Sequence, residues 1–164
     1  KDVSDRVIYM KDGVICEEGS PEQIFNNPQK DKTRQFINRL KVFTFNFDKN
    51  SFDFYKMNNE INNYCQNHLI PKDLTSKILA IAEELGVQTI LPLLSNDSKA
   101  SLSLEFNDDV SKANFTIRYT GERKDPTGSN DLAYMIVEHL SEPISYTYDE
   151  LLKENILTVS ILTK

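Results

Sequence analysis

The sequence predicts an α+β protein: a two-layer α/β sandwich with a mixed, mostly antiparallel sheet covered on one face by helices. A β-hairpin and two short helices precede it. Three observations predict this class. Runs of alternating apolar residues near 42–47, 99–106, 113–119, 144–148 and 156–162 read as strands. Segments 51–69, 72–91 and 131–140 carry helical spacing between them. Most strands neighbour one another through short turn-rich stretches, so hairpins join them and helices gather on one face.

The elements follow in order. Val7 to Met10 and Val14 to Cys16 are apolar and partly β-branched, and Lys11-Asp12-Gly13 is turn chemistry, so residues 6–19 form a hairpin. Ser20-Pro21-Glu22-Gln23 starts a helix, with Ser as N-cap and Pro at the first helical position. Asn26-Asn27-Pro28 ends it. A second short helix spans Thr33 to Leu40, with Phe36, Ile37 and Leu40 on one face. Residues 1–40 are too few to hold a core alone. They form one expected domain and residues 41–164 the other.

In the second domain, Phe43, Phe45 and Phe47 share one face of a strand, which reads as core. Phe54, Met57, Ile61, Tyr64 and His68 then recur at helical spacing. Residues 72–91 are a more apolar helix, opened after Pro71 and ended by Pro92. Ala100, Leu102, Leu104 and Phe106 form one face of the next strand. Asn107-Asp108-Asp109 turns the chain, and Ala113 to Tyr119 returns. Gly121 to Ser129 is a loop and Asp131 to Leu140 a helix. Ile144–Tyr148 and Ile156–Leu162 close the sheet as a hairpin around Lys153-Glu154-Asn155. The order is β-α-α-β-β-α-β-β.

Composition excludes several classes. The 164 residues carry a net charge of −6, which argues against nucleic acid, because phosphate binding needs clustered Lys and Arg. No apolar run approaches the roughly 20 residues that span a bilayer, so no direct membrane insertion is expected. Cys16 and Cys65 read as free thiols of a reducing compartment. The two histidines and two cysteines have no metal-ligand spacing, so no metal site is expected. The five glycines, Gly13, Gly19, Gly86, Gly121 and Gly128, never fall in the G-x-x-x-x-G-K-[ST] pattern of a phosphate-cradling loop.

The run Ser4-Asp5-Arg6-Val7-Ile8-Tyr9-Met10-Lys11-Asp12-Gly13-Val14-Ile15-Cys16-Glu17-Glu18-Gly19 resembles the C-terminal tail of ABC transporter ATP-binding subunits. Its continuation, Ser20-Pro21-Glu22-Gln23-Ile24-Phe25-Asn26-Asn27-Pro28 and Lys32-Thr33-Arg34-Gln35-Phe36-Ile37, is most similar to the polar amino-acid importers. The resemblance implies a parent protein that uses ATP and Mg²⁺, partners a membrane permease and sits peripherally on the cytoplasmic face of the membrane. The chain as given, without the phosphate loop, is expected to be inactive alone and to need no cofactor itself.

Residues 41–162 resemble the histidine-kinase-like ATPase fold, in particular the anti-sigma-factor kinases. Three segments carry the resemblance. In Ile81-Ala82-Glu83-Glu84-Leu85-Gly86-Val87-Gln88, Glu84 and Gln88 stand where that family has E-x-x-x-N. The resemblance implies a carboxylate that polarises a water or hydroxyl at Glu84, and a Mg²⁺ ligand at Gln88. Their i, i+4 spacing shares one helix face. Gln is one methylene longer than Asn, which weakens octahedral Mg²⁺ binding. In Arg118-Tyr119-Thr120-Gly121-Glu122-Arg123-Lys124-Asp125-Pro126, Gly121 and Asp125 match the family's base-binding loop. Tyr119 replaces its adenine-reading Asp. In Thr127-Gly128-Ser129-Asn130-Asp131-Leu132-Ala133, Asn130, Asp131 and Ala133 fall where glycines are expected. Asp131 reads as a helix N-cap, and its charge opposes triphosphate.

Read for structure alone, Glu83 and Glu84 are a solvated patch and Gln88 a surface amide. His68 is then a packed or half-exposed side chain. Three functions are weighed. The first is a non-catalytic regulatory or assembly region of an importer's ATP-binding subunit, forming a homodimer. In it the second domain is a pseudoenzyme with nucleotide-site remnants at Glu84, Gln88, Tyr119, Gly121, Asp125, Asn130 and Asp131. The second is a divergent kinase or ATPase using Glu84 and Gln88. The third is a small-molecule sensor reusing the old nucleotide pocket, lined by Tyr119 and Asp131.

Overall fold

The computed structural model describes residues 6–37, 41–107, 112–127 and 131–162. The side chains of Asn26, Lys41 and Leu162 fall outside that description, as do Asn130, Gly128, Ser129 and the Asp108-Asp109 turn. The chain divides into two compact units, Lys1–Lys41 and Val42–Lys164.

The smaller unit opens with strands β1 (Val7–Lys11) and β2 (Val14–Gly19), paired antiparallel. Asp12 and Gly13 join them with φ of 54° and 78°. Two successive left-handed residues match the twist of a hairpin, and Gly supplies the second at no steric cost. A bulge follows Tyr9, so Tyr9 faces Glu17 while Met10 faces Ile15. Helix α1 (Pro21–Asn26) begins at Ser20, whose hydroxyl accepts from the Gln23 N–H at 3.2 Å. Helix α2 (Asp31–Ile37) starts two residues ahead of the expected Thr33, and the expected limit at Leu40 lies outside the described residues. Ile24 is fully buried, and Tyr9 stacks on Phe36 with centroids 4.8 Å apart.

Glu17 organises this unit. Its carboxylate accepts the N–H groups of Gln29 at 2.8 Å and Lys30 at 3.0 Å, just ahead of α2. The buried Thr33 hydroxyl beside it, then those two N–H groups, hold the carboxyl below its ordinary value.

The larger unit holds a five-stranded sheet in the order β3-β4-β5-β7-β6. Its strands are β3 (Lys41–Asp48), β4 (Lys99–Asn107), β5 (Lys112–Thr120), β6 (Ser145–Asp149) and β7 (Glu154–Leu162). The β4–β5, β5–β7 and β6–β7 ladders are antiparallel. The Thr44–Ser103 and Asp48–Lys99 contacts give β3 the same sense against β4. The sheet is thus antiparallel throughout, where the sequence suggested a mixed one. The β4–β5 and β6–β7 pairs follow one another directly in the chain, and the long helical stretch between β3 and β4 also returns the chain antiparallel.

One face of this sheet is apolar: Ala100, Leu102, Leu104 and Phe106 on β4, Ala113, Phe115, Ile117 and Tyr119 on β5, Leu157, Val159 and Ile161 on β7. Phe45 and Phe47 extend it to the β3 edge, with Phe43 half-buried against Tyr64. Helices α3 (Phe54–Asn67), α4 (Lys72–Ile81) and α6 (Leu132–Leu140) cover that face. Asp53 caps α3 by accepting from the Lys56 N–H at 2.9 Å. Met57, Ile61, Tyr64 and Cys65 of α3 are buried, and His68 caps its C-terminus edge-on to Tyr64. No described helix is long and apolar enough to cross a membrane.

Two expectations are corrected. The helix from Lys72 does not stay α-helical, and Pro92 does not end it. After α4 the chain winds as a π-helix over Ala82–Ile90, then closes with α5 (Leu91–Leu93), Pro92 lying inside α5. The Thr89 hydroxyl donates to the Glu84 carbonyl, and the Leu91 N–H to the Gly86 carbonyl, both five residues back. A proline clashes with the carbonyl four residues behind it. The wider winding before Pro92 makes room for the ring, so the helix passes it. The final hairpin also turns earlier than expected, at Glu150 to Lys153, with Glu154 and Asn155 already in β7.

Candidate functional site

The π-helical segment carries Glu84 half-buried and Gln88 exposed, while Leu85, Gly86, Thr89 and Ile90 face the core. A wider turn keeps residues four apart near one face, so Glu84 and Gln88 still project together. Beyond α5 the chain runs through Ser95 and Ser98 into β4. The Ser95 and Ser98 hydroxyls lie 2.8 Å apart, and the Ser98 hydroxyl also accepts the Ser95 N–H.

Opposite them, β5 ends at Tyr119 and Thr120, and the loop 121–127 follows. Gly121 has φ of 138°, a conformation side chains rarely adopt. Its N–H donates to the Lys153 carbonyl at 2.9 Å, and its carbonyl accepts from the Tyr148 hydroxyl at 3.0 Å.

Asn155 holds this loop. It is fully buried on the core face of β7 and uses all its hydrogen-bonding capacity. Its Oδ1 accepts the Lys124 N–H at 2.9 Å and the Tyr146 hydroxyl at 2.8 Å. Its Nδ2 donates to the Glu122 carbonyl at 3.0 Å and the Tyr119 carbonyl at 3.4 Å. The Tyr119 hydroxyl donates to the Lys124 carbonyl, closing the loop on itself. Tyr119 is 2% exposed and belongs to the core. Burial, more than the nearby Tyr146 and Asp125, pushes its phenol far above the ordinary range. Tyr119 is therefore a neutral, committed donor with its ring fixed in the sheet face. Burial also raises the Tyr146 phenol.

These elements border a cleft of about 330 Å³, lined by Leu93, Ser95, Ser98, Tyr119, Thr120, Gly121, Glu122 and Lys124. The Lys124 ammonium reaches across it to the Leu93 carbonyl at 3.3 Å. The Lys49 ammonium binds the adjacent Leu94 carbonyl at 3.1 Å, so two cations meet the carbonyls at the end of the helix.

Of the candidate residues, the structure brings Tyr119 and Gly121 to the cleft. Glu84, Gln88, Asp125 and Asp131 are not among its lining residues. Asp125 is turned to its own loop, where its carboxylate accepts the Thr127 N–H and hydroxyl at 2.9 and 2.6 Å. Asp131 sits at the N-cap of α6, its backbone carbonyl accepting from Met135 while its side chain makes no cap bond. Asn130 lies outside the described residues. No group of three His, Cys, Asp or Glu is placed to hold a metal among the described residues.

Sequence reasoning missed Asn155, Tyr146, Ser95 and Ser98. Asn155 left a signal: it stands in phase with Leu157, Val159 and Ile161, an amide on an apolar strand face. Such a residue needs internal partners.

Comparison with known proteins locates resemblance in a short stretch. The L-cystine import ATP-binding protein TcyN of Bacillus subtilis (strain 168) is 53% identical over 38 residues, 23% of this chain and 15% of that protein. The L-cystine import ATP-binding protein TcyC of the same organism is 48% identical over 40 residues, 24% of this chain and 16% of that protein. The arginine transport ATP-binding protein ArgV of Corynebacterium glutamicum is 44% identical over 39 residues, 24% of this chain and 15% of that protein. The chain thus spans about one sixth of the length of the curated relatives it matches. No family model matches it.

Proposed function

We propose that this chain is the C-terminal region of an ABC-type amino-acid import ATP-binding protein, and that its larger unit is a non-catalytic regulatory or assembly domain. The observation that carries the first part is the match of 38 to 40 residues to import ATP-binding proteins. We assign the matched stretch to residues 1–40, where the hairpin and its two short helices form a unit of that size. In the parent, ATP and Mg²⁺ act upstream of this stretch. A membrane permease is the partner, and the subunit lies on the cytoplasmic face.

The second part is supported by Tyr119. In the histidine-kinase-like fold that the larger unit resembles, a carboxylate at this position reads the adenine amino group. A buried neutral phenol, bonded to its own loop, offers no such acceptor. Asn155 fixes the loop from beneath. The unit then acts by position: it biases the catalytic domains to which it is fused, through the different contacts it makes in their open and closed states.

The kinase reading keeps Glu84 and Gln88 as its chemistry. Titration of the chain with Mg·ATP in a calorimeter separates the two. Absence of heat at millimolar nucleotide supports the regulatory reading. Micromolar binding that Glu84→Ala or Gln88→Ala abolishes overturns it. The cleft favours a third reading, a sensor of a small polar molecule held by Ser95, Ser98, Thr120 and Lys124. Thermal stabilisation by such a ligand, lost in Ser98→Ala, identifies it.

A further inference from the structure

We infer that the β3 edge of the five-stranded sheet takes a second copy of this chain, strand against strand and antiparallel, about a two-fold axis normal to the sheet. The inference rests on the sheet of the larger unit and does not depend on the reading of the smaller one.

The sheet has two edges, β3 and β6, and they differ. Strand β6 is short, five residues ending at Asp149, and its Tyr146 and Tyr148 side chains are tied to Asn155 and Gly121. Short edges limit unwanted pairing. Strand β3 is eight residues long, Lys41–Asp48, and the six residues between its charged ends are Val42-Phe43-Thr44-Phe45-Asn46-Phe47. It has no inner charge and no proline, which are the usual means of blunting an edge. A long β-prone edge of this kind is a template for another strand.

The composition of β3 fits a copy of itself. Two copies forming one continuous sheet, with their helices on the same side, are related by an axis normal to the sheet. Residues on the same face then oppose one another. With the axis at Phe45, Phe45 faces its copy, Phe43 faces Phe47, Thr44 faces Asn46 and Val42 faces Asp48. The core face presents three aromatic pairs, which stabilise across strands, and the outer face pairs Thr44 with Asn46 twice, with Val42 against Asp48 at the ends. Lys41 lies opposite Lys49, just beyond the strand, so like charges meet only at its ends. With the axis at Thr44, Phe47 would instead face Lys41 and lose its aromatic partner. The Phe45-centred register is therefore the matched one. The seven paired residues, Val42 to Asp48, give a ladder of about 24 Å. One strand from each copy makes a small contact, so the association is expected to be reversible.

Thr44 and Asn46 are exposed on the outer face, so charging them tests the pairing while leaving the core alone. Sedimentation equilibrium of the 164-residue chain is expected to show a monomer–dimer equilibrium. The double variant Thr44→Lys/Asn46→Lys is expected to weaken it by about tenfold or more, because like charges then face each other twice. Its thermal unfolding stays as in the parent. Thr44→Glu/Asn46→Glu behaves likewise, and an equimolar mixture of the two double variants re-forms the dimer. Thr44→Lys alone keeps the dimer, since the new side chain faces Asn46. The inference is overturned by a chain that stays monomeric, by a dimer indifferent to both double variants, or by folded charge variants that fail to pair when mixed. Loss of the dimer on Thr44→Lys alone overturns the Phe45-centred register.

Discussion

The two units hold opposite kinds of information. The smaller one, Lys1–Lys41, is about the size of the stretch shared with import ATP-binding proteins, yet it has almost no core. Ile24 is its only buried hydrophobic side chain among the described residues, while Ile8, Met10, Val14, Ile15, Phe25 and Phe36 are exposed. The larger unit, Val42–Lys164, lies mostly beyond the length of any such match, yet it contains the hydrophobic core of the chain. Sequence likeness and folding stability are thus separable. The first is carried by residue identity along a short stretch. The second follows from apolar area removed from water.

Three measurements sharpen this contrast, beginning with the largest effect. Phe115 is fully buried at the centre of the sheet. Phe115→Ala is expected to destabilise the larger unit by about 3–5 kcal/mol in denaturant unfolding, through lost transfer energy and a cavity. A loss below about 1 kcal/mol would show that the core is loosely packed.

Asn155→Leu comes next. It strands the Lys124 N–H, the Tyr146 hydroxyl and the Glu122 and Tyr119 carbonyls. The expected cost is about 2 kcal/mol, since each unpaired buried group carries roughly 1–3 kcal/mol and some regain water. Hydrogen exchange of the 121–125 amides should quicken more than that of the β5 centre. Equal change across the sheet would mean that Asn155 supports the fold generally and not the loop.

Acid gives the smallest effect and distinguishes the units directly. Glu17 in the smaller unit is held below its ordinary value of 4.5, first by the Thr33 hydroxyl and then by the Gln29 and Lys30 N–H groups. Asp48 in the larger unit is held below 3.8, first by hydrogen bonds from Ser51 and then from Asn50. A lowered carboxyl stabilises the fold above its unfolded value, and that contribution is lost as pH falls through the folded one. The smaller unit should therefore begin to loosen at higher pH than the larger. Proteolysis on a descending pH series reads this as cleavage within residues 1–41 before cleavage beyond them. Simultaneous cleavage would contradict it.

Much of the architecture was legible because strand alternation survives any packing arrangement. Ala100 to Phe106 and Ala113 to Tyr119 bury the side chains that their period of two selects. The π winding was not legible. Ala82, Leu85, Gly86, Thr89 and Ile90 fit the buried face of an α-helix as well as that of a wider one. Local spacing does not choose between them, and the fit against the sheet and Pro92 does. The loop site was legible in part. Tyr119 and Gly121 stand out by position in the sequence, but their clamp comes from Asn155, 34 residues beyond Gly121. The phase of Asn155 with Leu157, Val159 and Ile161 marks it as buried, but nothing along the chain marks which distant groups it binds.

The sequence by itself determined the α+β class, the element order, the hairpin turn at Asp12-Gly13 and the likeness of a short stretch to import ATP-binding proteins. Each of these rests on local chemistry or on residue identity along the chain. Only the tertiary structure decided that the sheet is wholly antiparallel, that the helix runs past Pro92, and that Tyr119 is a buried, committed donor. Those outcomes depend on which distant groups meet, because a buried polar atom must find its partner wherever the fold supplies one.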